Sequence, residues 1–533
     1  MAKKSFIQGA AILGMAGILV KVLGACFRIP LGNMIGDVGM AYYQAVYPVY
    51  NLFLAISTAG IPIAISKMVS ERNAIGRYNE GYRVFKISFG LMFAIGIVSA
   101  IICYAGAEFY FEWCGIPEAK YAMRALAPAI CFVPLMASFR GYFQGNQNMS
   151  PTAISQLIEQ FFRVVVGLVL AGMLMTRGLE FAAAGASFGA TAGSIGGVCT
   201  VAIIYVLTKN KYRGNIEKSA GTTYQSSASI LKDIVYFAVP ITLGAAIMPI
   251  MNAIDVPIVM DRLAYAGFSE TESKALYGQL SGFTGSLINF PQVLTQAVAV
   301  SIVPVISEMN KLGKTKELQE NAQMGLRMSM LMGIPCAVGM MVLAEPIMLL
   351  FYPMQKASAR GAAECLVIMA IGVIFFSGML TLTGILQGAG KQMVPVKNMC
   401  VGVVFKIVLT YVLCGIPEIN VKGAAIATLV TYIVVFWIDV YTVKKYTGTR
   451  FNYGVIYGKP GIAAVVMGIV VWAGHKVLTG IIGNSLATVV AVGLGVAVYG
   501  IMILKTKAIN RDELRTFPKG NTLVKIVDKL RLW

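Results

Sequence analysis

The sequence predicts an all-α polytopic membrane protein of about 14 transmembrane helices, arranged as two parallel-repeat six-helix lobes followed by a C-terminal helix pair. Three observations lead there. Of 533 residues, 57% are hydrophobic and 13% charged, with a mean hydropathy of +0.73, outside the range of soluble domains of this size. Apolar segments long enough to cross about 30 Å of hydrocarbon recur along the chain. Two stretches of the chain echo each other at a nearly constant offset.

In order, the apolar segments cover 6–30, 40–66, 85–107, 120–142, 152–176, 182–208, 233–261, 277–307, 326–350, 361–387, 394–415, 421–443, 460–480 and 484–504. They read as helices because only helices and closed barrels satisfy the backbone in lipid, and barrel strands would alternate in polarity. The run after Lys3 and Lys4 is too long for a signal-peptide core and lacks a small-residue cleavage site, so it reads as the first span. The nine cysteines are scattered, without CxxC or Cys/His spacing, and read as packing residues rather than a metal or disulfide site.

Loop charge sets the expected orientation. Lys67, Arg72, Arg77, Arg83 and Lys86 crowd one early loop, whereas the turn around Asp37 carries no cation. Continued along the chain, this bias places both termini in the cytoplasm of a multi-pass plasma-membrane protein. It also accounts for the net charge of +20 through contacts with anionic membrane lipids, without a nucleic-acid partner.

The echo supplies the domain organisation. Gln144, Pro151 and Arg163 recur as Gln387, Pro395 and Lys406, offset by 243 residues or one more; a second echo sets Ile61–Met68 against Val303–Met309. The reading is an N-terminal lobe over 1–208, a cytoplasmic linker over 209–232 and a second lobe over 233–443. An extra helix pair over 444–504 and a basic amphipathic tail over 505–533 follow. Six spans per lobe make the repeats parallel, a transporter design with the site between lobes. The glycines at the repeated loops, Gly145 and Gly388, are hinge candidates.

Charges inside apolar helices mark the candidate site, because each costs at least about 2.5 kcal/mol at the bilayer centre. Lys21 and Arg28 lie seven residues apart, on one face of the first helix. Glu159 and Arg163, at i and i+4, can pair with each other, which leaves Lys21 and Arg28 as net positive charge suited to a pyrophosphate. In the second lobe Asp255 is a candidate cation or proton site, or else a partner for Lys406. Glu345 and Asp439 lie near segment ends and are assigned no role. In the tail, Leu523, Ile526, Val527, Leu530 and Trp533 share a helical face, as in an interfacial anchor.

Val20-Lys21-Val22-Leu23-Gly24 followed by Arg28, then Tyr47-Pro48 and Gly60-Ile61-Pro62-Ile63-Ala64-Ile65-Ser66-Lys67, resembles the polysaccharide-export branch of the multidrug/oligosaccharidyl-lipid/polysaccharide (MOP) flippase superfamily. That branch includes lipid II flippases and stage V sporulation proteins, and the likeness covers essentially the whole chain. The resemblance implies a monomeric flippase, not an enzyme. It would move an undecaprenyl-pyrophosphate-linked cell-wall precursor, lipid II or a related lipid-linked oligosaccharide, from the inner to the outer leaflet by alternating access. It places the family's basic residues on Lys21, here lysine rather than arginine, and on Arg28. The family's arginine after the proline at Pro48 has no counterpart in Asn51-Leu52-Phe53. By the same resemblance Asp255 and Asn398 are coupling-ion candidates, with Na+ or H+ as the ion and no other cofactor, and the last two helices are a groove for the lipid tail.

Two other classes compete. A drug/cation antiporter of the same superfamily would prefer an acidic cavity and normally lacks the last two helices. A membrane-bound glycan-transferring enzyme would need a nucleophile or base at a wet face, and a single histidine with few polar clusters offers little.

Overall fold

The computed structural model describes residues 2–58, 60–219 and 225–509; the amphipathic reading of Leu523 to Trp533 lies outside them. Among the described residues the regular structure is entirely helical. The first half runs α1 (Ala2–Thr58), α2 (Ile61–Ala74), α3 (Tyr78–Trp113), α4 (Ala119–Gly145), α5 (Ser150–Leu174), α6 (Leu179–Lys218) and α7 (Ser227–Tyr265). There follow α8 (Glu270–Gly278), α9 (Gly285–Lys311), α10 (Thr315–Val342), α11 (Ala344–Phe351), α12 (Lys356–Gly388), α13 (Met393–Cys414), α14 (Lys422–Thr447) and α15 (Lys459–Lys505).

Twelve helical runs among the described residues are long and apolar enough to cross a membrane. Two of them, Leu19–Ala74 and Gly454–Lys505, are divided by glycines with φ of 67° and 76°, Gly36 and Gly483. Only glycine takes this conformation without steric cost, and the two breaks give the fourteen crossings that the apolar pattern predicts. At Gly36 the turn is fixed by Asp37, whose carboxylate accepts from the Val38 N–H at 2.8 Å and from the Gln279 side-chain amide at 3.0 Å.

Segment ends differ from the expectation in two places. The span predicted over 40–66 ends at Thr58, and a new helix begins at Ile61 with Pro62 in its first turn, where a missing N–H costs nothing. Gly60 lies against α7, where a Cβ would sit 2.3 Å from the Ala238 carbonyl oxygen. Lys67 and Arg72 are therefore helical rather than in a loop. The span predicted over 326–350 is likewise divided, at Leu343, into α10 and α11.

The chain forms two units. One comprises Met1–Ala264 with Phe268–Gly282, the other Tyr265–Gly267 with Phe283–Trp533; α7 and α8 group with the first. Its core sets Ile65, Met68 and Val69 against Phe85, Phe139, Tyr142 and Phe143. In the second unit Leu326, Met330, Leu382, Leu386, Phe436 and Val443 form the core.

The internal repeat is visible in the packing of each unit taken alone. The turn after α4 takes its positive φ at Gln147 and the turn after α12 at Gly390, an offset of 243 residues again. A Cβ on Gly141 would meet the Pro62 carbonyl and Ile65, and one on Gly145 the Ser66 carbonyl and Val69. On α12, Gly384 meets the Ala299 carbonyl and Ile302, and Gly388 meets the Val303 carbonyl and Ile306. These contacts equate Ile65 with Ile302, a register five residues away from the one in which Pro62 matches Pro304. Apolar Ile/Val/Pro/Ser text slides easily along itself, and close helix contacts decide the register.

The tightest helix pair in the first unit is α5 with α6. A Cβ on Gly189 would lie 2.5 Å from the Arg163 carbonyl oxygen, and one on Gly193 would lie 2.4 Å from that of Glu159. Small residues let membrane helices approach at backbone distance, and here they fix the turn of α5 that carries both charges. Gly189→Val and Gly193→Val are each expected to cost about 1–3 kcal/mol of stability through overpacking, read as a lowered unfolding temperature of the purified protein in detergent. Gly214→Ala, where nothing lies within 4 Å of an added Cβ, should be neutral or slightly stabilising.

Candidate functional site

Lys21 and Arg28 stand two turns apart on the first arm of α1, Lys21 exposed and Arg28 partly buried. Between them this face of α1 packs on α5. A Cβ on Gly24 would lie 3.5 Å from the Gln160 side-chain nitrogen, and Phe27 reaches in over Gly167. Phe27 also meets the ring of Tyr43, on the second arm of α1, at 5.8 Å between centroids.

From Tyr43 a ladder runs up the second arm at helical spacing. Tyr43 and Tyr47 share a hydroxyl hydrogen bond of 2.5 Å, and the rings of Tyr47 and Tyr50 meet edge to face at 6.0 Å. Arg163 on α5 lies within electrostatic reach of all three hydroxyls, and Arg28 within reach of Tyr43. Two of the cations singled out in the sequence thus converge on one tyrosine ladder. Tyrosine supplies an apolar ring and a polar tip in one side chain, suited to a site that meets both a charged group and hydrocarbon.

Glu159 does not belong to Arg163 alone. Its carboxylate is 3.9 Å from Arg163 but 3.1 Å from Arg140 on α4, and Arg140 donates a second hydrogen bond to Ser155 at 2.9 Å. One carboxylate is shared by two guanidinium groups, so the cluster keeps a net positive charge before Arg28 and Lys21 are added. Arg140 is not among the residues the sequence singles out. Its signal was present, an arginine within an apolar segment, but it lies two residues from that segment's predicted end, where long cations commonly snorkel to water.

In the second unit Asn398 is buried on α13 and donates to Asp439 on α14 at 2.7 Å and to Thr442 at 3.2 Å. Lys406 is buried on the same helix, 5% exposed. Asp255 lies on α7 in the first unit, within electrostatic reach of Tyr277, so the two coupling-ion candidates fall in different units. Among the described residues no group of three His, Cys, Asp or Glu side chains is placed to hold a metal ion. Gly145 and Gly388 are close-packing points, and the positive backbone angles sit beyond them, at Gln147 and Gly390.

Residues 6–310, more than half of the chain, match the family model described as polysaccharide biosynthesis protein. The chain belongs to that family. Residues 281–412 also match the MatE model. Among relatives in the family's range, the chain is 27% identical over 517 residues to lipid II flippase MurJ of Bacillus subtilis (strain 168), covering 92% of this chain and 94% of the relative. It is 26% identical over 522 residues to stage V sporulation protein B of the same organism, covering 97% and 98%. A solved structure of lipid II flippase MurJ in an inward closed conformation superposes with a TM-score of 0.69 at 16% identity, covering 92% of this chain and 98% of that one. An inward-facing MATE family transporter of the MOP superfamily gives 0.67 at 15%, covering 81% and 95%. The family member described here therefore has the MOP transporter fold, and its polytopic membrane architecture is shared with these proteins.

The shared carboxylate yields a measurable asymmetry. A double-mutant cycle between Arg140 and Glu159 is expected to give a coupling of about 1–3 kcal/mol, as for a hydrogen-bonded charged pair. The cycle between Arg163 and Glu159, at the longer distance, should give less. Unfolding of the purified single and double alanine variants in detergent measures both.

Proposed function

We propose that this chain is a flippase carrying an undecaprenyl-pyrophosphate-linked glycan, lipid II or a related lipid-linked oligosaccharide, from the inner to the outer leaflet. The observation that carries the reading is the positive cluster of Arg140 and Arg163 around the single carboxylate of Glu159, with Arg28 near the same tyrosine ladder as Arg163, on helices long enough to cross a membrane. An anion with two adjacent charged groups answers such a cluster by Coulomb attraction and by charge-assisted hydrogen bonds. Relatives named lipid II flippase and stage V sporulation protein match over nearly their whole length and support the same substrate class.

In this reading Lys21 and Arg28 receive the pyrophosphate, Arg163 supports it from α5, and Glu159 holds Arg163 and Arg140 in place. The two lobes, 1–208 and 233–443, rock about the loops near Gly145 and Gly388. Both termini are cytoplasmic, and the helix pair over 444–504 receives the lipid tail. Asp255 and Asn398 are the coupling-ion candidates for Na+ or H+, and the membrane potential drives the return of the empty carrier. The protein works as a monomer in the plasma membrane.

A second reading, a drug/cation antiporter of the same superfamily, is favoured by the MatE match and by the multidrug transporters among the structural neighbours. Binding of lipid II to the purified protein separates the two. Lys21→Ala and Arg28→Ala, in protein that still inserts and folds, should each weaken lipid II binding by about ten- to a hundredfold, the loss of one charge-assisted contact. Binding of a cationic dye without lipid II binding would establish the antiporter instead.

A further inference from the structure

A proline inside a helix lacks the N–H that would bond the carbonyl four residues before it, and in a membrane-crossing helix that carbonyl needs a donor from a neighbour. In α10 the proline is Pro335 and the freed carbonyl is that of Leu331. The Tyr499 hydroxyl on α15 donates to it at 2.9 Å. The same arrangement occurs in the first unit, where Pro257 frees the Ala253 carbonyl of α7 and the Tyr110 hydroxyl of α3 donates to it at 2.7 Å.

Pro335 is also where α10 changes neighbours. On the near arm, before the proline, Ser329 shares a hydroxyl hydrogen bond with Thr381 of α12, and a Cβ on Gly333 would lie 2.8 Å from the Ser377 hydroxyl oxygen. Leu326, Met330 and Ile334 are buried there with Leu382 and Leu386 in the main core of the second unit. The far arm, beyond the proline, faces α15 instead. A Cβ on Gly468 would lie 2.8 Å from a methyl carbon of Val338 and 3.5 Å from one of Val342. Leu343, at the junction with α11, is buried with Met467, Val471 and Ala491 of α15, and the Asn484 side-chain amide donates to the Pro346 carbonyl at 3.3 Å. The ion pair that ties α11 to α12, Glu345 with Arg360, is more than half exposed on both sides, a kind that contributes little.

A proline kink is a joint whose angle is set by what fills the gap it opens. Here the filler is one phenolic hydroxyl, carried by the helix pair and bonded to the near arm. The base of the pair sits at the same level, with Ala508 and Ile509, just beyond α15, buried against Leu331. The pair is therefore anchored beside the joint and runs from it along the far arm.

We propose that Tyr499 is a lock on this joint. With its hydroxyl on the Leu331 carbonyl the kink of α10 is fixed; with the bond broken, the far arm and the helix pair bend together about Pro335. This goes beyond the proposed function, which gives the pair a ligand and no movement, and it does not depend on what that ligand is.

The test is hydrogen–deuterium exchange, read by mass spectrometry, on the full-length protein in lipid vesicles with no ligand added. Tyr499→Phe keeps the ring and removes the donor. Amides from Cys336 to Val342 should then exchange about five- to tenfold faster, the value of one hydrogen bond, while those of α7 beyond Pro257 stay as in the wild type. Pro335→Ala returns an N–H to the Leu331 carbonyl, so Tyr499→Phe made in that background should leave exchange unchanged. Equal acceleration in both backgrounds overturns the lock, because the hydroxyl then acts through something other than the freed carbonyl. An unmoved Tyr499→Phe, or acceleration spread over the whole second unit, overturns it as well. If Pro335→Ala does not fold, Tyr110→Phe takes its place as the comparison: it should loosen α7 beyond Pro257 and leave α10 alone, and loosening of both helices by either variant overturns the proposal.

Discussion

A charge placed in hydrocarbon must be paid for by geometry, and the first unit shows how. Arg140, Glu159 and Arg163 are tolerable only if the carboxylate stays between the guanidinium groups. That requires α4 and α5 to hold a fixed rotation. The rotation of α5 is set by glycines of α6 spaced four apart, Gly185, Gly189 and Gly193, whose missing Cβ atoms leave room for the α5 backbone. Arg140 is fixed separately, through Ser155 on the turn before Glu159. The electrostatics of the site therefore depend on packing by residues that carry no charge.

The same dependence explains why the tyrosine ladder belongs with the site. α1 changes direction at Gly36, and both of its arms return to α5: the first through Gly24 and Phe27, the second through the tyrosines that reach Arg163. The single left-handed glycine places Arg28 and Arg163 near one hydroxyl, although they are 135 residues apart in sequence. A straight helix through residue 36 would carry Tyr43 about 24 Å beyond Phe27.

What the sequence disclosed and what it withheld follow one physical line. Membrane insertion is a one-dimensional requirement, about 20 apolar residues per crossing, so the class, the number of crossings and the turns at Gly36 and Gly483 were legible from composition and spacing. Lys21, Arg28, Glu159 and Arg163 stood out because charge in an apolar run is rare. Which charge meets which is decided between helices, and there the text was mute. Arg140 was hidden by its nearness to a segment end, and Asp439 for the same reason, since an end position is where exposure is cheap. In the structure Asp439 is buried despite that position, because α14 continues to Thr447, beyond the apolar window that ends near 443. The second echo misled for a different reason: apolar helices share vocabulary, and only the glycine contacts of Gly141 and Gly384 give the register.

The repeat lets the two units be compared position by position, and the comparison reverses their chemistry. At the offset of 243, Ser155, Glu159 and Arg163 of α5 correspond to Asn398, Gly402 and Lys406 of α13. The acid of the first unit has become a glycine, and Gly402 is packed so closely on Val435 that a Cβ would lie 2.4 Å from its methyl carbon. The acid of the second unit sits instead on the next helix, at Asp439; the contacts of Gly185 with Leu170 and Ala171 and of Gly423 with Leu413 and Cys414 align α6 with α14 at an offset of 238, so its counterpart on α6 is the buried Val201. In the first, one acid lies between two arginines and leaves positive charge over; in the second, an acid lies beside an amide, with no ion pair seen to it among the described residues. Two copies of one helical scaffold have thus diverged in where they bury a carboxyl, on α5 in the first unit and on α14 in the second, and in the groups that surround it.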